Sequence, residues 1–427
     1  MLAYLVAMPS PAKADPIMTL DDAYRSAILR HPAIKIVREA LVQAGEEVRS
    51  ARSALYPKVE GNLEYLRRPE EKKSDRFILR SESESQLSVT LSQPIYSGGR
   101  AMATYRSTKL GIKGEALNLV LIKEDLLFEV ARAYYMALKA KNNVRIEAKE
   151  VERLKAHRRS AEKRFQVGEV TKTALLRAEA ELSNARAKLI RARNDEAARK
   201  DELALLANIE GSFETAEPPS VSFPDRPRAY WMERSHENRL ELKQEDVRID
   251  QAKAGVAFAR GSFLPSLSLE LEYRWVDQDP KGDFLVENDT LGILKLRVPI
   301  FEGMLRKAQL AQARSRFRQA ALERQKIMDK IDLAVSASFL DLSSLTAELE
   351  HLKDRVRFAR EAFSLASRQF DVGLGTHIDV LDANATLQDA ERRFSNTVYD
   401  REVAILSLQK HAGLFTPMNS RMLEKAP

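Results

Sequence analysis

The stretch FDVGLGTHIDVLDA at residues 370–383 is a second version of FQVGEVTKTALLRA at residues 165–178. The two stretches share Phe, Val, Gly, Thr, Leu and Ala at equivalent positions, and every matched pair has the same separation in sequence. The correspondence continues outward, since Gln-Pro-Ile-Tyr at residues 93–96 matches Val-Pro-Ile-Phe at residues 298–301. A fixed offset over a long span is the mark of an internal repeat, so the chain is predicted to be one unit of roughly two hundred residues, duplicated.

The duplication predicts how the 427 residues are divided. The first repeat covers residues 15–211 and the second covers residues 231–414, with a Pro-rich connector at residues 212–230 and a polar tail at residues 415–427. Residues 1–14 hold a short apolar run and an Ala-Lys-Ala pattern but no basic leader segment. They are predicted to be a residual signal peptide, with a disordered terminus as the alternative.

Each repeat changes from helical periodicity to alternation just after a proline, Pro57 in the first and Pro265 in the second. Alternating apolar and polar residues predict strands with one solvated face. The predicted strands cover residues 57–68, 85–97, 265–276 and 289–301. Each repeat therefore contributes one β-hairpin. Strands of about ten residues suit either an outer-membrane bilayer or the sheets of a soluble sandwich.

A long helix is predicted after each hairpin, at residues 100–165 and 305–370, where there is no Pro and almost no Gly. At about 1.5 Å per residue, each helix would be on the order of 100 Å long, which a globular domain cannot contain. Apolar residues at alternating steps of three and four predict that the second helix packs as a coiled coil. The members of this seam are Leu342, Leu345, Leu349, Leu352, Val356, Ala359 and Phe363.

The quoted motif is predicted to form the tip of a helical hairpin in each repeat. Gly168 and Gly373 can take the left-handed conformation that closes a helix, and Thr171 and Thr376 can cap the helix that follows. Return helices are therefore predicted at residues 171–208 and 376–412.

Composition excludes several classes of function. The chain has 69 basic and 62 acidic residues, a net charge of +7, with both signs interleaved. This pattern predicts solvated helix faces and no nucleic-acid partner. The absence of cysteine excludes thiolate metal sites and cysteine nucleophiles. Because no metalloprotease, nucleotide-binding or nucleophile motif is present, the chain is predicted not to be an enzyme and to have no catalytic residue, cofactor or metal site.

The predicted strands also indicate how many chains assemble. Without a long apolar helix, only strands could cross a bilayer, and lipid does not tolerate the open edges of a four-stranded sheet. Three chains would supply about twelve strands, within the range of outer-membrane barrels. The predicted fold class is mainly α with membrane β, in which a duplicated unit of long coiled-coil helices plus a β-hairpin trimerises into a β-barrel of about twelve strands continuous with an α-helical barrel.

The Gln-Pro-Ile-Tyr-Ser-Gly-Gly start of the first long helix at residues 93–99 and the two Phe-x-Val-Gly tips resemble the TolC family of outer-membrane efflux and type I secretion channels. The resemblance covers residues 19–414. It implies a homotrimer in the lipid of the cell outer membrane, with the helical part in the periplasm. It also implies that the tips face an inner-membrane pump of the RND or ABC type through a periplasmic adaptor (membrane fusion) protein.

The resemblance also assigns residues to the tips. In the family, the signature Val-Gly-Leu-x-Thr contacts the adaptor. The second tip matches it in full, at Val372, Gly373, Leu374 and Thr376. The first tip matches at Val167, Gly168 and Thr171. Glu169 replaces the Leu in the first tip, which leaves docking there in doubt. Tight turns without a docking role are the alternative for both tips.

Asp379 and Asp382 match paired aspartates that narrow the channel entrance in the family. Spaced i and i+3, they share one helix face, and threefold symmetry would gather them around the axis. Crowded carboxylates favour cations and have raised pKa values, whereas solvated surface acids are the alternative. Some family members also close the entrance with a polar lock. The matching positions here are Phe370, Gly375 and Ala174, so closure is predicted to depend on packing or on the aspartate ring.

The alternative function is a cytosolic or periplasmic coiled-coil scaffold with a small β module. Cell fractionation distinguishes the two, because a channel would be found in the outer membrane as a heat-resistant trimer. Within the channel hypothesis, drug efflux and protein secretion both remain open, because the conduit is shared and the pump selects the cargo.

Overall fold

A computed structural model describes residues 16–73, 77–219 and 225–415, and the predicted signal peptide at residues 1–14 lies outside them. In chain order the helices are α1 (Leu20–Arg30), α2 (Pro32–Ser53), α3 (Arg100–Gln166), α4 (Lys172–Ala207), α5 (Arg228–Asn238), α6 (Leu240–Gly261), α7 (Leu305–Asp371) and α8 (His377–His411). The strands are β1 (Ile17–Met18), β2 (Lys58–Arg67), β3 (Lys72–Lys73), β4 (Ile78–Arg80), β5 (Ser83–Tyr96), β6 (Glu214–Thr215), β7 (Ser266–Asp279) and β8 (Asn288–Arg297). None of the helices in the described ranges is both long and apolar enough to span a lipid bilayer.

The chain forms two compact units, and each is discontinuous in sequence. The tip unit, named for the two helical tips, contains the described residues within Met1–Ile36, Val120–Leu240 and Met328–Pro427. The sheet unit contains Val37–Leu119 and Glu241–Ile327. Both units take residues from both sequence repeats, so the compact units cut across the predicted repeat boundaries.

The sheet unit contains one four-stranded antiparallel sheet in the order β2-β5-β7-β8. Each repeat contributes a hairpin, β2–β5 or β7–β8, and β5 pairs with β7 to join the two. The outer edges of β2 and β8 have no strand partner among the described residues. Strand β8 ends at Arg297, before the predicted end at residue 301, because Pro299 has no N–H to donate to a ladder.

The register gives the sheet one apolar and one polar face. Cross-strand partners such as Val59, Leu91 and Leu271 share a face, because directly opposed residues point to the same side. The apolar face carries Val59, Leu63, Tyr65, Leu87, Val89, Leu91, Leu267, Leu269, Leu271, Tyr273, Trp275, Leu294 and Leu296. The opposite face carries mainly Lys, Glu, Asn, Gln, Ser, Thr and Arg side chains. Many apolar side chains remain exposed, including Leu63 at 77%.

In the tip unit, two short strands occur where the sequence predicts no strand. β1 pairs in parallel with β6, which lies inside the predicted connector. The hydroxyl of the buried Tyr134 donates to the carbonyl oxygens of Met18 and Ala216, at 2.8 and 2.6 Å. Burial raises the pKa of Tyr134 to about 12, so the hydroxyl keeps its proton. The predicted connector at residues 212–230 thus contains β6 and the start of α5.

The long helices of the tip unit pack as two coiled coils that lie side by side. Leu154 of α3 packs against Leu182 and Ala185 of α4, and Ala359 of α7 packs against Leu387 and Ala390 of α8. Every member of the predicted α7 seam is buried or half-buried. Polar contacts join α3 to α8: Lys139–Asp400 at 2.7 Å, Gln388–Glu147 at 2.8 Å, Asn384–Glu150 at 2.5 Å and Asn142–Ser395. The four long helices of the tip unit are therefore neighbours in the spatial order α4-α3-α8-α7.

Candidate functional site

The two tips have the same backbone geometry. Gly168 and Gly373 have φ values of 79° and 81°, as predicted. In the first tip the N–H of Glu169 donates to the Arg164 carbonyl at 2.8 Å, and in the second the N–H of Leu374 donates to the Gln369 carbonyl at 2.8 Å. These bonds satisfy carbonyls that the end of each long helix leaves without an intrahelical partner. The repeat in the sequence is therefore also a repeat in structure.

The predicted threonine caps are present, but only the second tip forms a complete capping box. Thr171 accepts from the N–H of Ala174 at 3.3 Å. Thr376 accepts from the N–H of Asp379 at 3.2 Å, and the Asp379 carboxylate accepts in return from the Thr376 N–H at 2.9 Å and hydroxyl at 2.6 Å. The first tip cannot form the reciprocal bond, because Ala174 has no carboxylate.

The capping box changes the expectation for Asp379. Hydrogen bonds from Thr376 lower the pKa of this carboxyl, which is the opposite of the increase expected from a crowded ring. Asp382 is exposed and has no hydrogen-bond or ion-pair partner for its carboxylate in the described part of the chain. It lines a cavity of about 410 Å³ between α3, α4 and α8 with Arg177, Glu181 and Asn384. Of the two aspartates, Asp379 therefore caps α8, whereas the Asp382 carboxylate forms neither a cap nor an ion pair with the described residues.

The apolar side chains of the tips project into solvent. Val167 is 71% exposed, Val372 is 69% exposed and Leu374 is 84% exposed. Apolar residues exposed to this degree on a rigid turn are typical of a contact surface. Glu169, which occupies the place of the Leu in the first tip, forms an ion pair with Arg164 at 2.8 Å.

The structure brings the two tips together through Arg164, Ser160 and Asp371, which sequence reasoning did not single out. A guanidinium N–H of Arg164 donates to the carbonyl oxygen of Phe370, which connects the end of α3 to the end of α7. Ser160 donates to the Asp371 carboxylate at 3.1 Å. A difference between the copies gave a signal for Arg164, because its counterpart in the second copy is the uncharged Gln369. Phe370, Gly375 and Ala174 form no polar lock with one another among the described residues.

A pair of histidines lies behind the tips. His157 Nε2 is 2.9 Å from His377 Nδ1, and the His157 ring also lies 5.3 Å from the Phe370 ring. One ring must donate and the other must accept, so the bond requires at least one neutral imidazole. Burial and the neighbouring His377 lower the pKa of His157 to about 4, against a weaker opposing effect of Asp371. Burial and Arg177 also lower the pKa of His377.

This pair predicts that the chain loses stability in acid. Between pH 6.5 and about 4, the unfolded chain binds a proton at His157 that the folded chain excludes, so the free energy of unfolding falls as the pH falls. We expect the Tm to decrease over this interval, and to decrease less in His157→Phe, whose ring can still pack on Phe370. Thermal melts from pH 7.5 to 4 measure the difference. Parallel curves for the two proteins would contradict the assignment.

No group of three or more His, Asp or Glu side chains within the described ranges is arranged to hold a metal ion. The polar groups of the tips instead form caps, ion pairs and links between helices. The geometry therefore describes a contact surface with exposed apolar side chains, with the exposed carboxylate of Asp382 behind it.

The sequence matches the family model described as outer membrane efflux protein over residues 23–208 and 231–414. It is 24% identical over 407 residues to outer membrane protein TolC of Vibrio cholerae, covering 92% of this chain and 90% of that relative. It is 25% identical over 301 residues to the alkaline protease secretion protein AprF of Pseudomonas aeruginosa, covering 68% of this chain and 62% of that relative. The crystal structure of the CmeC outer membrane channel of Campylobacter jejuni matches with a TM-score of 0.81 at 17% identity, covering 95% of this chain and 88% of that one. At that identity the structural likeness shows the fold.

Proposed function

Because the chain belongs to the outer membrane efflux protein family and is a TolC-type outer-membrane channel, we propose that three copies form an exit duct for an inner-membrane pump. The family, the outer-membrane location and the channel function predicted from the tips are confirmed. The chain is a transport protein and not an enzyme. The homotrimer, the periplasmic adaptor, the pump and the roles of the tip residues are the parts we propose.

The open four-stranded sheet is the observation that supports the proposed homotrimer. Strands β2 and β8 each leave one edge unpaired within the described chain, and the apolar face is exposed. In lipid every backbone polar group needs a partner, so the edges must pair with other copies. If β8 of one copy pairs with β2 of the next, three copies give a closed barrel of about twelve strands with its apolar face toward lipid and its polar face toward the lumen.

A second heptad line on each outer helix supports the same assembly. On α4 an exposed line faces away from the α3 seam and consists of Leu176, Ala180, Ser183, Ala187, Ile190, Asn194, Ala198, Asp201 and Leu205. On α7 a largely exposed line faces away from the α8 seam and consists of Leu333, Ser336, Leu340, Ser343, Ala347, Glu350, Asp354, Phe358, Glu361 and Leu365. Helices with two such lines need two neighbours. We therefore pair α4 of one copy with α7 of the next, a head-to-tail contact that closes a ring.

Charge favours this pairing. The middle of α4 presents the exposed base Arg191 beside its outer line, while the outer line of α7 presents the exposed acid Glu350. The two residues lie at similar distances along their helices from the tips. Opposite charges that meet across an interface select the register of the contact more than they add affinity.

The tips supply the surface for the adaptor. The exposed side chains of Val167, Val372 and Leu374 form apolar projections on two rigid turns. An apolar contact at the end of each hairpin suits the tips of a helical adaptor, and the pump beyond it, of the RND or ABC type, supplies the energy. The conduit is the same for small molecules and for proteins, so the cargo is selected by the pump.

Asp382 supplies the charge at the entrance. Its exposed carboxylate has no partner among the residues that the structure describes, and a ring of three copies would concentrate negative charge on the axis. Such a ring attracts cations and binds multivalent ions. Asp379 is less available to bind cations in this ring, because its carboxylate already accepts hydrogen bonds from Thr376.

Reconstitution in a planar lipid bilayer tests the channel and its entrance together. We expect the purified trimer to conduct with cation preference and to be blocked by trivalent cations. Asp382→Asn should weaken the block by about 10-fold or more, whereas Glu152→Gln, which removes an exposed carboxylate from α3, should leave it unchanged. A protein that is monomeric in detergent and does not conduct would overturn the proposal. An unchanged block in Asp382→Asn would overturn only the entrance assignment.

A further inference from the structure

A concave site of about 800 Å³ lies in the tip unit, lined by side chains of α3, α7 and α8. We call it the α3–α7 groove. Its volume is typical of a small-molecule pocket, and all of its lining residues belong to one protomer. The floor of the groove is apolar and consists of the buried or half-buried side chains of Ile146, Val356, Phe394, Val398 and Tyr399.

Three bases on the rim of the groove have no acid to pair with. Arg145 and Lys149 lie about one turn apart on α3, and Lys353 lies on α7. All three side chains are exposed, and none forms a hydrogen bond or an ion pair with another described residue. Among the described acids of the rim, Glu361 is also unpaired. Three unpaired bases against one unpaired acid leave an excess of positive charge.

The other bases that line the groove are neutralised by acids of the same chain. Arg357 lies 2.9 Å from the Asp354 carboxylate, and Arg360 lies 3.1 Å from that of Glu391. The uncompensated charge is therefore concentrated at Arg145, Lys149 and Lys353, above the apolar floor. A concave surface with charges of one sign and a low-dielectric wall attracts ligands of the opposite sign.

The wall of the groove also contains an amide that is only partly hydrogen-bonded. Asn142 Nδ2 donates to the Ser395 hydroxyl, whereas Asn142 Oδ1 is buried without a hydrogen-bond partner among the described residues. A buried polar atom without a partner costs free energy. A half-turn of the amide would keep the bond to Ser395, because a hydroxyl can donate as well as accept, and would leave an N–H available to an anion.

We propose that the α3–α7 groove is a binding site for a small amphipathic anion, a molecule with an apolar body and a carboxylate or sulfonate group. The apolar body packs on the floor around Phe394, and the anionic group lies among Arg145, Lys149 and Lys353. A small molecule fits better than a peptide segment, because the unpaired bases are confined to one turn of α3 and one position of α7.

The groove faces away from the entrance aspartate. On α8, Glu391 lies nine residues after Asp382, which is about two and a half helical turns, so the two side chains leave opposite sides of the helix. In the proposed duct Asp382 faces the axis, and the groove therefore opens outward to the periplasm. Only this placement rests on the proposed function, because the groove itself is complete within one chain.

Titration with naphthalenesulfonate, followed by the fluorescence of the probe, tests the site in protein solubilised with a neutral detergent. We expect saturable binding above that of empty micelles, with an affinity that decreases as the ionic strength rises. Lys149→Glu and Lys353→Glu should each weaken binding by about 5-fold, because each replaces an attraction with a repulsion. Arg159→Glu is the control, since the exposed Arg159 lies on α3 outside the groove, and it should leave the affinity unchanged.

The absence of saturable binding, or an equal loss in all three variants, would overturn the proposal. Two further probes test its parts. Naphthalenemethanol has the same rings without the charge, and inorganic sulfate has charge without the rings, so both should bind more weakly than naphthalenesulfonate. Equal affinity for either one would contradict a site for amphipathic anions. Failure of the proposed function is distinguishable, because a monomer that binds the probe would overturn the duct and support the site.

Discussion

Leu63→Arg should prevent the chain from assembling in the outer membrane, whereas Glu64→Arg on the same strand should be tolerated. Leu63 lies near the middle of β2 on the apolar face, and Glu64 lies on the polar face. An Arg facing lipid at the bilayer midplane costs about 2–4 kcal/mol, and the cost is repeated in every protomer of the trimer. For each protomer this corresponds to roughly 30-fold to 1,000-fold in the assembly equilibrium.

The comparison is informative because neither substitution should harm the isolated protomer. Leu63 is 77% exposed, so an Arg at this position disturbs no core in the chain itself. In water, Arg would even be the more soluble residue. The amount of trimer in outer-membrane fractions, measured by its resistance to heating in detergent, should therefore fall only for Leu63→Arg. Equal amounts of trimer in the two variants would mean that this face does not meet lipid.

The elements that sequence reasoning predicts well are those whose pattern is long and local. The long helices begin at the predicted residues and end one residue beyond the predicted ends, at Gln166 and Asp371. Alternation over ten residues likewise locates the strands, because one face must differ in polarity from the other. The left-handed Gly168 and Gly373 are predictable because few other residues adopt that conformation at low cost.

The elements that sequence reasoning misses depend on contacts between distant segments. Strands β1 and β6 have two residues each, which is too few for any periodicity. They lie together where the Tyr134 hydroxyl contacts the carbonyl oxygens of Met18 and Ala216. The link from Arg164 to Phe370 joins the two copies of the repeat, and no local pattern encodes such a contact. The sequence shows this link as a difference between the copies, because Arg164 is charged and its counterpart Gln369 is not.

The paired aspartates show how one motif can contain two roles. A spacing of three residues places Asp379 and Asp382 on one helix face, and the sequence alone treats them alike. The structure separates them, because Thr376 begins α8 and gives Asp379 the reciprocal position of a capping box. Replacing Asp379 therefore also weakens the start of the helix, because the capping box loses its reciprocal hydrogen bonds. Asp382 is the cleaner position for testing the charge of the entrance.

Substitutions on the outer lines of α4 and α7 should separate the trimer without unfolding its protomers. Leu176 and Leu365 are both exposed, lie on these two lines and are within about two helical turns of the tips. In the proposed ring they face each other between neighbouring copies. We expect Leu365→Glu to lower the temperature at which the detergent-resistant trimer dissociates by roughly 10 °C, because the carboxylate is buried against Leu176 without a partner.

A charge exchange makes this expectation specific to one contact. Ser364→Glu is the control, because Ser364 is exposed at the adjacent position and points away from the outer line. It should leave dissociation unchanged. Leu176→Lys alone should weaken the trimer as Leu365→Glu does, but the two together should recover part of the loss, since opposite charges in contact favour each other. Additive losses in the double variant would place the two residues apart and require a different neighbour for α7. Recovery would instead fix both the order of the helices around the ring and the register between copies.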